Sequence, residues 1–343
     1  MINTAIVILN WNGLSFLKLF LPQVIEYSSD HDTLICVADN GSNDGSTEWV
    51  AENFSGVKLI RFEKNHGFAG GYNLALQQTE ARYFVLLNSD VQVTQGWLNP
   101  MLDYMDANPD VASCQPKILS FDRRDHFEYA GAAGGFIDKY GFTFCRGRIF
   151  EKMEKDTGQY DTISDIFWSS GACMMVRAEA FTGCGGLDAD FFAHMEEIDL
   201  CWRFHNAGHR VVSIPGSVVY HVGGGTLSYS SSFKTYLNFR NNLYILYKNL
   251  PEKQLHKILF RRRLMDGLAL IRFVLKGQFR NAISVGRAHR DYYSGLGKLR
   301  EKRNQTLNQG KVQNDDLILN KSIVFEFYIR GCKTFSSLST KPT

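Results

Sequence analysis

Residues Tyr83–Asp90 read Tyr-Phe-Val-Leu-Leu-Asn-Ser-Asp, and this stretch decides the fold of the chain. Its first five residues are apolar and rich in aromatic and branched side chains, which predicts a buried strand. Polar residues follow at once, so Asn88 and Asp90 would lie at the carboxyl end of that strand. A strand of this kind needs other elements packed against it, as in an α/β protein.

Three similar apolar runs precede this stretch, at Thr4–Leu9, Thr33–Ala38 and Val57–Phe62, with helical patterns between them. Strands that alternate with helices predict a mostly parallel central sheet flanked by helices and joined by right-handed crossovers. Ligands of such sheets bind beyond the carboxyl ends of the strands. Each run ends in a polar segment, so we expect these segments to meet on one rim.

The remaining pattern divides the chain further. It predicts strands at Val111–Leu119, Ile166–Val176 and Ser217–Tyr220, and helices at Gln95–Asn108 and Ala193–Ala207. A segment rich in glycine and aromatic residues, Phe127–Phe150, is typical of a hairpin or a mobile flap. Beyond Ser232 the pattern is helical to about Leu299. We therefore predict a catalytic domain over 1–230, with halves at about 1–120 and 121–230, and a C-terminal helical extension over 231–343.

Composition narrows the class of protein. Apolar residues make up 44% of the 343 residues and charged residues 21%, as in soluble globular proteins. The seven cysteines are scattered without a CxxC pair, which argues against disulfides and structural zinc and favours a reducing compartment. No signal peptide and no apolar run of about 18 residues is apparent, so we expect a cytoplasmic protein.

The polar ends of the first two strands suit a nucleotide. Asp39 follows the second strand and can accept hydrogen bonds from a base or a ribose hydroxyl. The alternative is that Asp39 and Asp44 only cap the helix that begins near Ser46. For Asp44, contact with a ligand and helix capping are equally favoured.

A glycine-rich turn, Asn65–Asn73, leads into the third helix. Gly67, Gly70 and Gly71 would let the backbone approach a bulky ligand, and a helix N-terminus favours an anion. The turn is neither GxGxxG nor GxxxxGK[ST], which argues against dehydrogenases and P-loop kinases.

Carboxylates in two further places suit metal binding and proton transfer. Asp90 leaves a buried strand, where it could bind Mg²⁺ or Mn²⁺ together with substrate phosphates. Glu196, Glu197 and Asp199 begin a predicted helix after two phenylalanines, so a partly buried carboxylate there could act as a general base, although acids also favour helix starts for electrostatic reasons. His221 ends a strand before Gly223-Gly224-Gly225 and could bind a metal or phosphate, or be structural.

Together these segments resemble family 2 glycosyltransferases, which are inverting enzymes of the GT-A fold, and in particular the bacterial rhamnosyltransferase-like branch. The resemblance covers about Thr4 to Gly225. It rests on the order and spacing of the motifs Val7–Asn12, Asp39–Ser42, Asn65–Asn73, Leu86–Val91, Ser170–Ala172, Glu196–Arg203 and His221–Gly224.

The resemblance implies a role for each matching residue. Asp39 would bind the pyrimidine of the donor, with Asn10 near the same nucleotide. Asp90 matches the metal-binding acid of the DxD motif, and His221 a histidine that assists the metal or the diphosphate. Glu197 falls on the catalytic base. The other donor-side residues are Asn65, Gly67, Gly70, Asn73 and Asn88, and the acceptor-side residues are Trp168, Gly171, Trp202 and Arg203.

Two positions depart from the family pattern. The first acid of DxD is Asn88 here, which leaves one carboxylate in that motif. The base position holds Glu197 where Asp is commoner, so Glu196 and Asp199 stay open as alternatives. The implied reaction transfers sugar from a dTDP-rhamnose-like or UDP-sugar donor to a glycan or lipid-linked acceptor, in cell-surface polysaccharide synthesis. A non-catalytic nucleotide-sugar-binding relative and a sugar nucleotidyltransferase are the competing classes.

The C-terminal extension is strongly basic. Residues 251–312 hold 15 Lys or Arg against 4 Asp or Glu, a net charge of +11, while the whole chain carries +3. Apolar residues at helical spacing accompany these charges. The pattern suits peripheral docking on the anionic inner face of the cytoplasmic membrane, and equally helices packed on the catalytic domain with solvated basic faces. No motif for nucleic-acid binding accompanies the charge.

Overall fold

The computed structural model describes residues 2–29, 32–223, 232–308 and 315–338. The chain opens with the predicted alternation of strands and helices: β1 (Ile2–Asn10), α1 (Leu14–Glu26), β2 (Thr33–Asp39), α2 (Ser46–Asn53), β3 (Lys58–Arg61), α3 (Gly67–Leu76) and β4 (Ala81–Asn88). β1 pairs in parallel with β2 and β4, and β2 pairs in parallel with β3. The carboxyl ends of these strands therefore share one rim, as predicted.

The following elements complete this sheet and add a second one. They are β5 (Val91–Val93), α4 (Asn99–Ala107), β6 (Val111–Ser120), β7 (Gly135–Asp138), β8 (Thr143–Cys145), β9 (Arg148–Ile149), β10 (Lys152–Met153), β11 (Ser164–Asp165), β12 (Cys173–Arg177), α5 (Ala178–Gly183), α6 (Glu196–Asn206) and β13 (Arg210–His221). The strand order in the main sheet is β11-β13-β6-β12-β4-β1-β2-β3, with β5 paired to β13.

The main sheet is mixed: β1 to β4 are parallel as predicted, and β6 pairs in parallel with β13. β12 runs antiparallel to both of its neighbours, β4 and β6. The chain leaves β6 at the rim, and β12 begins again near that rim, where the Ala172 carbonyl accepts from the Asn88 amide at 3.0 Å. β12 therefore begins at the rim and runs away from it, opposite to β4 and β6.

The predicted continuous strand Ile166–Val176 is wrong, since β11 ends just before it and only its last residues, from Cys173, are a strand, as part of β12. In between, the chain turns to the second sheet. Trp168 forms an isolated bridge to Gly135, and its indole N–H donates to the Phe136 carbonyl at 3.0 Å. Gly135 is required because a Cβ there would lie 2.0 Å from the indole. Contact with the second sheet therefore breaks the apolar run.

The second sheet has the order β10-β9-β8-β7-β14, so the glycine- and aromatic-rich segment forms antiparallel hairpins. β14 (Ile318–Leu319) comes from the C-terminal region and pairs in parallel with β7.

The C-terminal region is helical as predicted, with α7 (Ser232–Asn249), α8 (Glu252–Leu275), α9 (Phe279–Ser294), α10 (Leu296–Asn308) and α11 (Ile323–Tyr328). The predicted boundary at 230/231 and the end of the triple-glycine run lie outside the described residues. α7 packs against α6 of the preceding domain and against α8, α9 and α10. No helix among the described residues has the length and apolar character that crossing a membrane requires.

The core lies on both faces of the main sheet. In β1, Ala5 and Val7 join one apolar layer while Ile6 and Ile8 join the other, and Leu86 and Leu87 of β4 divide in the same way. Both faces are covered, which is why these strands are continuous apolar runs in the sequence. Such strands can only become polar where they leave the sheet, and this places the polar residues at the rim.

Candidate active site

Asp39 and Asn10 lie side by side at the carboxyl ends of β2 and β1. Both are buried, and the Asn10 side-chain amide donates to Asp39 Oδ1 at 3.1 Å and to the Ser46 hydroxyl at 2.9 Å. Asp39 Oδ2 accepts from the Ser42 amide at 2.9 Å. Asn10 therefore fixes the orientation of the Asp39 carboxylate, while its own Oδ1 is buried without a hydrogen-bond partner.

Asp44 has the capping role that the sequence left open. Its carboxylate accepts from the Ser46 amide at 3.1 Å, at the start of α2, and from the Leu14 amide at 2.8 Å, at the start of α1. Backbone and side-chain donors outweigh the effect of burial and lower its pKa. Asp44 therefore links the N-termini of α1 and α2 at the rim.

The glycine-rich turn is held by an asparagine that sequence reasoning did not single out. The Asn40 side chain donates to Gly67 O and Asn65 Oδ1 at 3.0 and 3.1 Å and accepts from the His66 amide at 2.9 Å. Asn65 Oδ1 also accepts from the Gly67 amide at 2.7 Å. Gly67 has φ +73°, and a Cβ there would lie 2.6 Å from Phe192. Glycine is thus required by both the conformation and the contact with Phe192.

Two other residues of the predicted donor side serve packing in this structure. The Asn73 side chain donates to the Leu187 carbonyl at 2.6 Å and accepts from the Leu187 amide at 3.0 Å. A Cβ on Gly70 would lie 3.3 Å from the Cβ of His66, so Gly70 packs closely against that residue. These contacts hold the start of α3 rather than opening toward a ligand.

Asp90 and His221 meet where β4 and β13 end. Asp90 Oδ1 lies 3.2 Å from His221 Nε2, and the two residues are only 6% and 5% exposed. On the other side of the ring, Glu128 Oε2 lies 3.1 Å from His221 Nδ1, although not in hydrogen-bond alignment. Burial lowers the pKa of His221, but the carboxylates of Asp90 and Glu128 outweigh it and raise it to about 10. The backbone amide of Asn88, next to this group, donates to the Ala172 carbonyl just before β12.

The chemistry of Asp90 and His221 suits a divalent cation. A carboxylate oxygen and a neutral imidazole nitrogen are ligands of Mn²⁺ and related ions, so a bound cation would take the place of the proton that His221 otherwise holds beside Asp90 and Glu128. Mg²⁺ commonly takes one or two carboxylates together with substrate phosphates. Within the part of the chain that the structure describes, no group of three His, Cys, Asp or Glu side chains is arranged to hold a metal. An ion held by Asp90 and His221 therefore needs oxygens of a bound substrate to complete its shell.

The acid pair lies at the start of α6. Glu196 and Glu197 each have a buried Oε2 without a hydrogen-bond partner. Burial raises the pKa of Glu197 to about 7, against the lowering effect of backbone amides. Burial and the neighbouring Glu197 raise the pKa of Glu196 further, well above its usual value. Near neutral pH Glu197 can therefore lose and accept a proton, whereas burial and the neighbouring Glu197 favour the protonated form of Glu196.

The segment before the acid pair has an unusual backbone. Phe192, His194 and Met195 have positive φ angles of 65°, 67° and 76°, a conformation that L residues rarely adopt and that is often found at functional sites. The Phe192 carbonyl accepts from the amides of Phe68 and Ala69 at 2.6 and 3.3 Å. The glycine-rich turn and the segment that carries the acid pair are therefore in direct contact.

α7 holds this strained segment in place. The Asn241 side chain is fully buried and donates to the carbonyls of Phe191, Ala193 and His194 at 3.0, 2.9 and 2.7 Å. Arg240 donates to the Asp190 carbonyl at 2.9 Å and to Asn241 Oδ1 at 2.8 Å. The first helix of the C-terminal region thus supports the acid pair.

Replacing Asn241 with alanine is expected to lower both stability and turnover. The substitution leaves buried carbonyls without their donor, and each such group costs about 1–3 kcal/mol. A lower melting temperature together with a lower kcat at unchanged donor affinity is the expected result, measured by thermal denaturation and steady-state kinetics. Leu237→Ala, on the same helix, is a control for lost packing alone. An Asn241→Ala enzyme with the kcat of the wild type would contradict this role.

Asp199 is fully engaged in a buried ion-pair network. Its Oδ2 lies 2.9 Å from both Arg203 Nε and Lys248 Nζ, and its Oδ1 accepts from Asn249 at 3.0 Å. Burial would raise the pKa of Asp199, but Lys248 and Arg203 outweigh it and lower the pKa. Asp199 therefore links α6 to α7 and is poorly suited to be the base.

Asp199→Asn is expected to reduce stability because it leaves buried cations with one fewer carboxylate. Breaking a buried ion pair typically costs about 3–5 kcal/mol, although Asp188, 2.6 Å from Lys248 Nζ, compensates in part. Chemical denaturation of wild type and variant measures the difference. If Asp199 were the base instead, the variant would be stable and inactive, and Asp188→Asn would not reproduce its behaviour.

The residues predicted on the acceptor side lie mostly in the core. Trp168 and Trp202 are 4% and 6% exposed, and Trp202 packs edge-on against Phe167 at a ring distance of 5.2 Å. Arg203 binds Asp199. A Cβ on Gly171 would lie 3.1 Å from Phe68. Their placement favours packing over contact with an acceptor, because these side chains are directed into the protein.

The fold is that of the GT-A glycosyltransferases. Among solved structures, GalNAc-T7 with UDP, GalNAc and Mn²⁺ aligns with a TM-score of 0.58 at 17% identity, over 72% of this chain and 48% of that one. This chain thus covers about half of that structure, and the likeness at this identity concerns the fold.

Residues 5–183 match the family model "Glycosyl transferase family 2", and the chain belongs to this family of enzymes. It is 26% identical over 223 residues to N-acetylglucosaminyl-diphospho-decaprenol L-rhamnosyltransferase of Mycobacterium tuberculosis, over 57% of this chain and 69% of the relative. It is 23% identical over 179 residues to rhamnosyltransferase WbbL of Escherichia coli K12, over 50% of this chain and 66% of the relative. The predicted resemblance to the rhamnosyltransferase-like branch is thereby confirmed.

Proposed function

We propose that this glycosyltransferase inverts the anomeric centre of a dTDP-rhamnose-like or UDP-sugar donor while transferring the sugar to a hydroxyl of a glycan or lipid-linked acceptor in cell-surface polysaccharide synthesis. The observation that carries the proposal is the contact of the glycine-rich turn with the segment before Glu197, through the Phe192 carbonyl. This contact supports a role for Glu197 as the base of a reaction at the predicted donor site. The lipid-linked acceptor is taken from the name of the mycobacterial relative.

In the proposed mechanism Asp39, oriented by Asn10, binds the base of the donor nucleotide. Asp90 and His221 would hold Mg²⁺ or Mn²⁺, and the crystallisation of GalNAc-T7 with Mn²⁺ supports a divalent ion. When bound, that ion supplies positive charge for the diphosphate. Glu197 takes the proton of the acceptor hydroxyl while the oxygen of that hydroxyl forms a bond to the anomeric carbon. At the same time the bond from the anomeric carbon to the diphosphate breaks.

A screen of UDP-, dTDP- and GDP-sugars tests the donor class. Thermal stabilisation by one nucleotide class, larger with Mn²⁺ or Mg²⁺, followed by transfer to a lipid-linked acceptor, is the expected result. Binding without transfer or donor hydrolysis would identify a non-catalytic nucleotide-sugar-binding relative. Release of pyrophosphate from a nucleoside triphosphate and a sugar phosphate would identify a nucleotidyltransferase.

We also infer that the enzyme works at a membrane surface, peripherally on the inner face of the cytoplasmic membrane. The inference is supported by the lipid-linked acceptor in the name of the mycobacterial relative and by the net charge of +11 over residues 251–312. Transfer to a lipid-linked acceptor in anionic vesicles should exceed transfer to the same acceptor in neutral detergent micelles.

A further inference from the structure

The exposed apolar side chains of this protein are concentrated in its C-terminal helices. On α8, five of them recur at steps of three or four residues, which places them along one face: Phe260, Leu264, Leu268, Ile271 and Leu275, exposed by 58, 57, 68, 54 and 82%. At 1.5 Å per residue this row is about 22 Å long. Such a row is unusual on the surface of a soluble protein and marks an interaction site.

Neighbouring helices extend this row. Phe279 and Ile283 of α9, 62 and 70% exposed, follow the short turn after α8. α11 adds Phe325 and, directly after its last residue, Ile329, 49 and 70% exposed. α11 lies beside α8, because the Arg272 guanidinium is 5.3 Å from the centre of the Tyr328 ring. We call the nine apolar residues from these three helices the C-terminal apolar face.

Basic side chains flank this face. The exposed ones on α8 and α9 are Lys253, Lys257, Arg261, Arg272, Lys276, Arg280, Arg287 and Arg290. Acids are few on these two helices. Asp266 is buried between Arg262 and His289, and Asp291 is paired with Arg290, which leaves Glu252, paired with Arg303. The surroundings of the face are therefore strongly positive.

The opposite side of α8 packs against the rest of the protein. Leu255, Ile258 and Leu259 are buried, and α8 packs against α7 and α9. Over residues 252–266 the helix therefore presents one side outward, and from Gly267 to Leu275 no residue is buried, so apolar side chains and cations are both accessible there. Helices of this kind lie in the plane of a membrane interface, with the apolar side chains among the acyl chains and the cations at anionic headgroups.

We propose that the C-terminal apolar face docks this protein on an anionic lipid surface. The proposal rests on the membrane location proposed above and names the residues that make the contact. A second copy of the chain fits less well, because a symmetric pairing would bring the same cations of both copies together. Anionic headgroups are complementary to these cations, and binding should weaken as salt screens the attraction.

Flotation of the full chain with vesicles tests this surface. Wild-type protein should bind phosphatidylcholine vesicles that contain 30–40% phosphatidylglycerol at low salt, and should bind pure phosphatidylcholine at least roughly tenfold more weakly. Leu268→Glu combined with Leu275→Glu should lower binding to the anionic vesicles by at least tenfold. Both side chains are largely exposed, so the melting temperature should not change. Leu19→Glu combined with Ile163→Glu, at exposed apolar positions outside the face, should bind like the wild type.

Three results would overturn the proposal. They are no binding of wild-type protein to anionic vesicles, equal binding to neutral ones, or unchanged binding by the Leu268/Leu275 variant. A wild-type dimer in sedimentation equilibrium that the same variant dissociates would assign the face to a second copy instead. Donor hydrolysis without vesicles is measured on the same samples. It should be equal in wild type and variant, so a failure of the docking surface is distinguishable from a failure of the proposed enzymatic activity.

Discussion

Glu197→Gln is expected to bind donor with nearly wild-type affinity and to lose transfer by roughly 10²–10⁴-fold, the usual contribution of a general base. The substitution keeps the size of the side chain but removes the group that accepts the proton of the acceptor. Steady-state transfer and nucleotide binding, measured on the same preparation, separate the two effects. Glu196→Gln is the matched control, because burial beside Glu197 favours the protonated form of Glu196, which glutamine resembles, so Glu196 should tolerate the change better.

The pH dependence provides a second test of the same residue. The base has to be ionised, and burial raises the pKa of Glu197 to about 7. Below that pH a growing share of the enzyme holds the proton, so kcat/KM should fall toward acid, by about tenfold per pH unit, and level off above pH 7. A pH-independent rate between pH 5 and 8, or full activity of Glu197→Gln with loss in Glu196→Gln, would place the base elsewhere.

Asp90→Ala is expected to abolish metal-dependent transfer. Asp90 is the only carboxylate of its motif because the other acidic position holds Asn88. The variant leaves His221 without the carboxylate 3.2 Å away, so an ion bound with the donor diphosphate would lose one of its two protein ligands. Mn²⁺ binding in the presence of a nucleoside diphosphate, followed by electron paramagnetic resonance, should weaken together with turnover.

The matched variant for this test is Asp44→Ala. Asp44 is also an acid of the rim, but its carboxylate caps helices instead of facing His221. This variant should lose stability and keep Mn²⁺ binding. Near-normal turnover by Asp90→Ala would rule out the metal assignment, and a loss of Mn²⁺ binding in Asp44→Ala alone would move the site to the other end of the rim.

The sequence predicted the site best where local pattern and topology coincide. Asp39 and Asp90 each follow an unbroken apolar run, and parallel strands bring such positions to one rim whatever the rest of the chain does. The acceptor-side role of Trp202 and Arg203 stays a prediction that their burial does not favour. An aromatic residue and a cation in a motif can serve packing or ligand contact equally well, and only burial decides between them.

Other residues at the site carried no local signal. Glu128 lies in an irregular segment 93 positions before His221, and Asn241 lies in a helix about 50 positions after the backbone carbonyls that it binds. Each is one polar residue among many in its own segment. Their placement depends on contacts between distant parts of the chain, which no local pattern specifies.

The sequence by itself determined the class of fold, the rim, and the acids that can serve a donor, a metal and a base, because hydrophobic periodicity and strand ends are local properties. The tertiary structure decided which acid is suited to each role. Asp199 is paired with Lys248 and Arg203, burial beside Glu197 raises the pKa of Glu196, and burial raises the pKa of Glu197 to about 7. The charge state of a carboxylate depends on burial and on neighbouring charges. Folding packs α7, with the charge of Lys248, against the acids of α6.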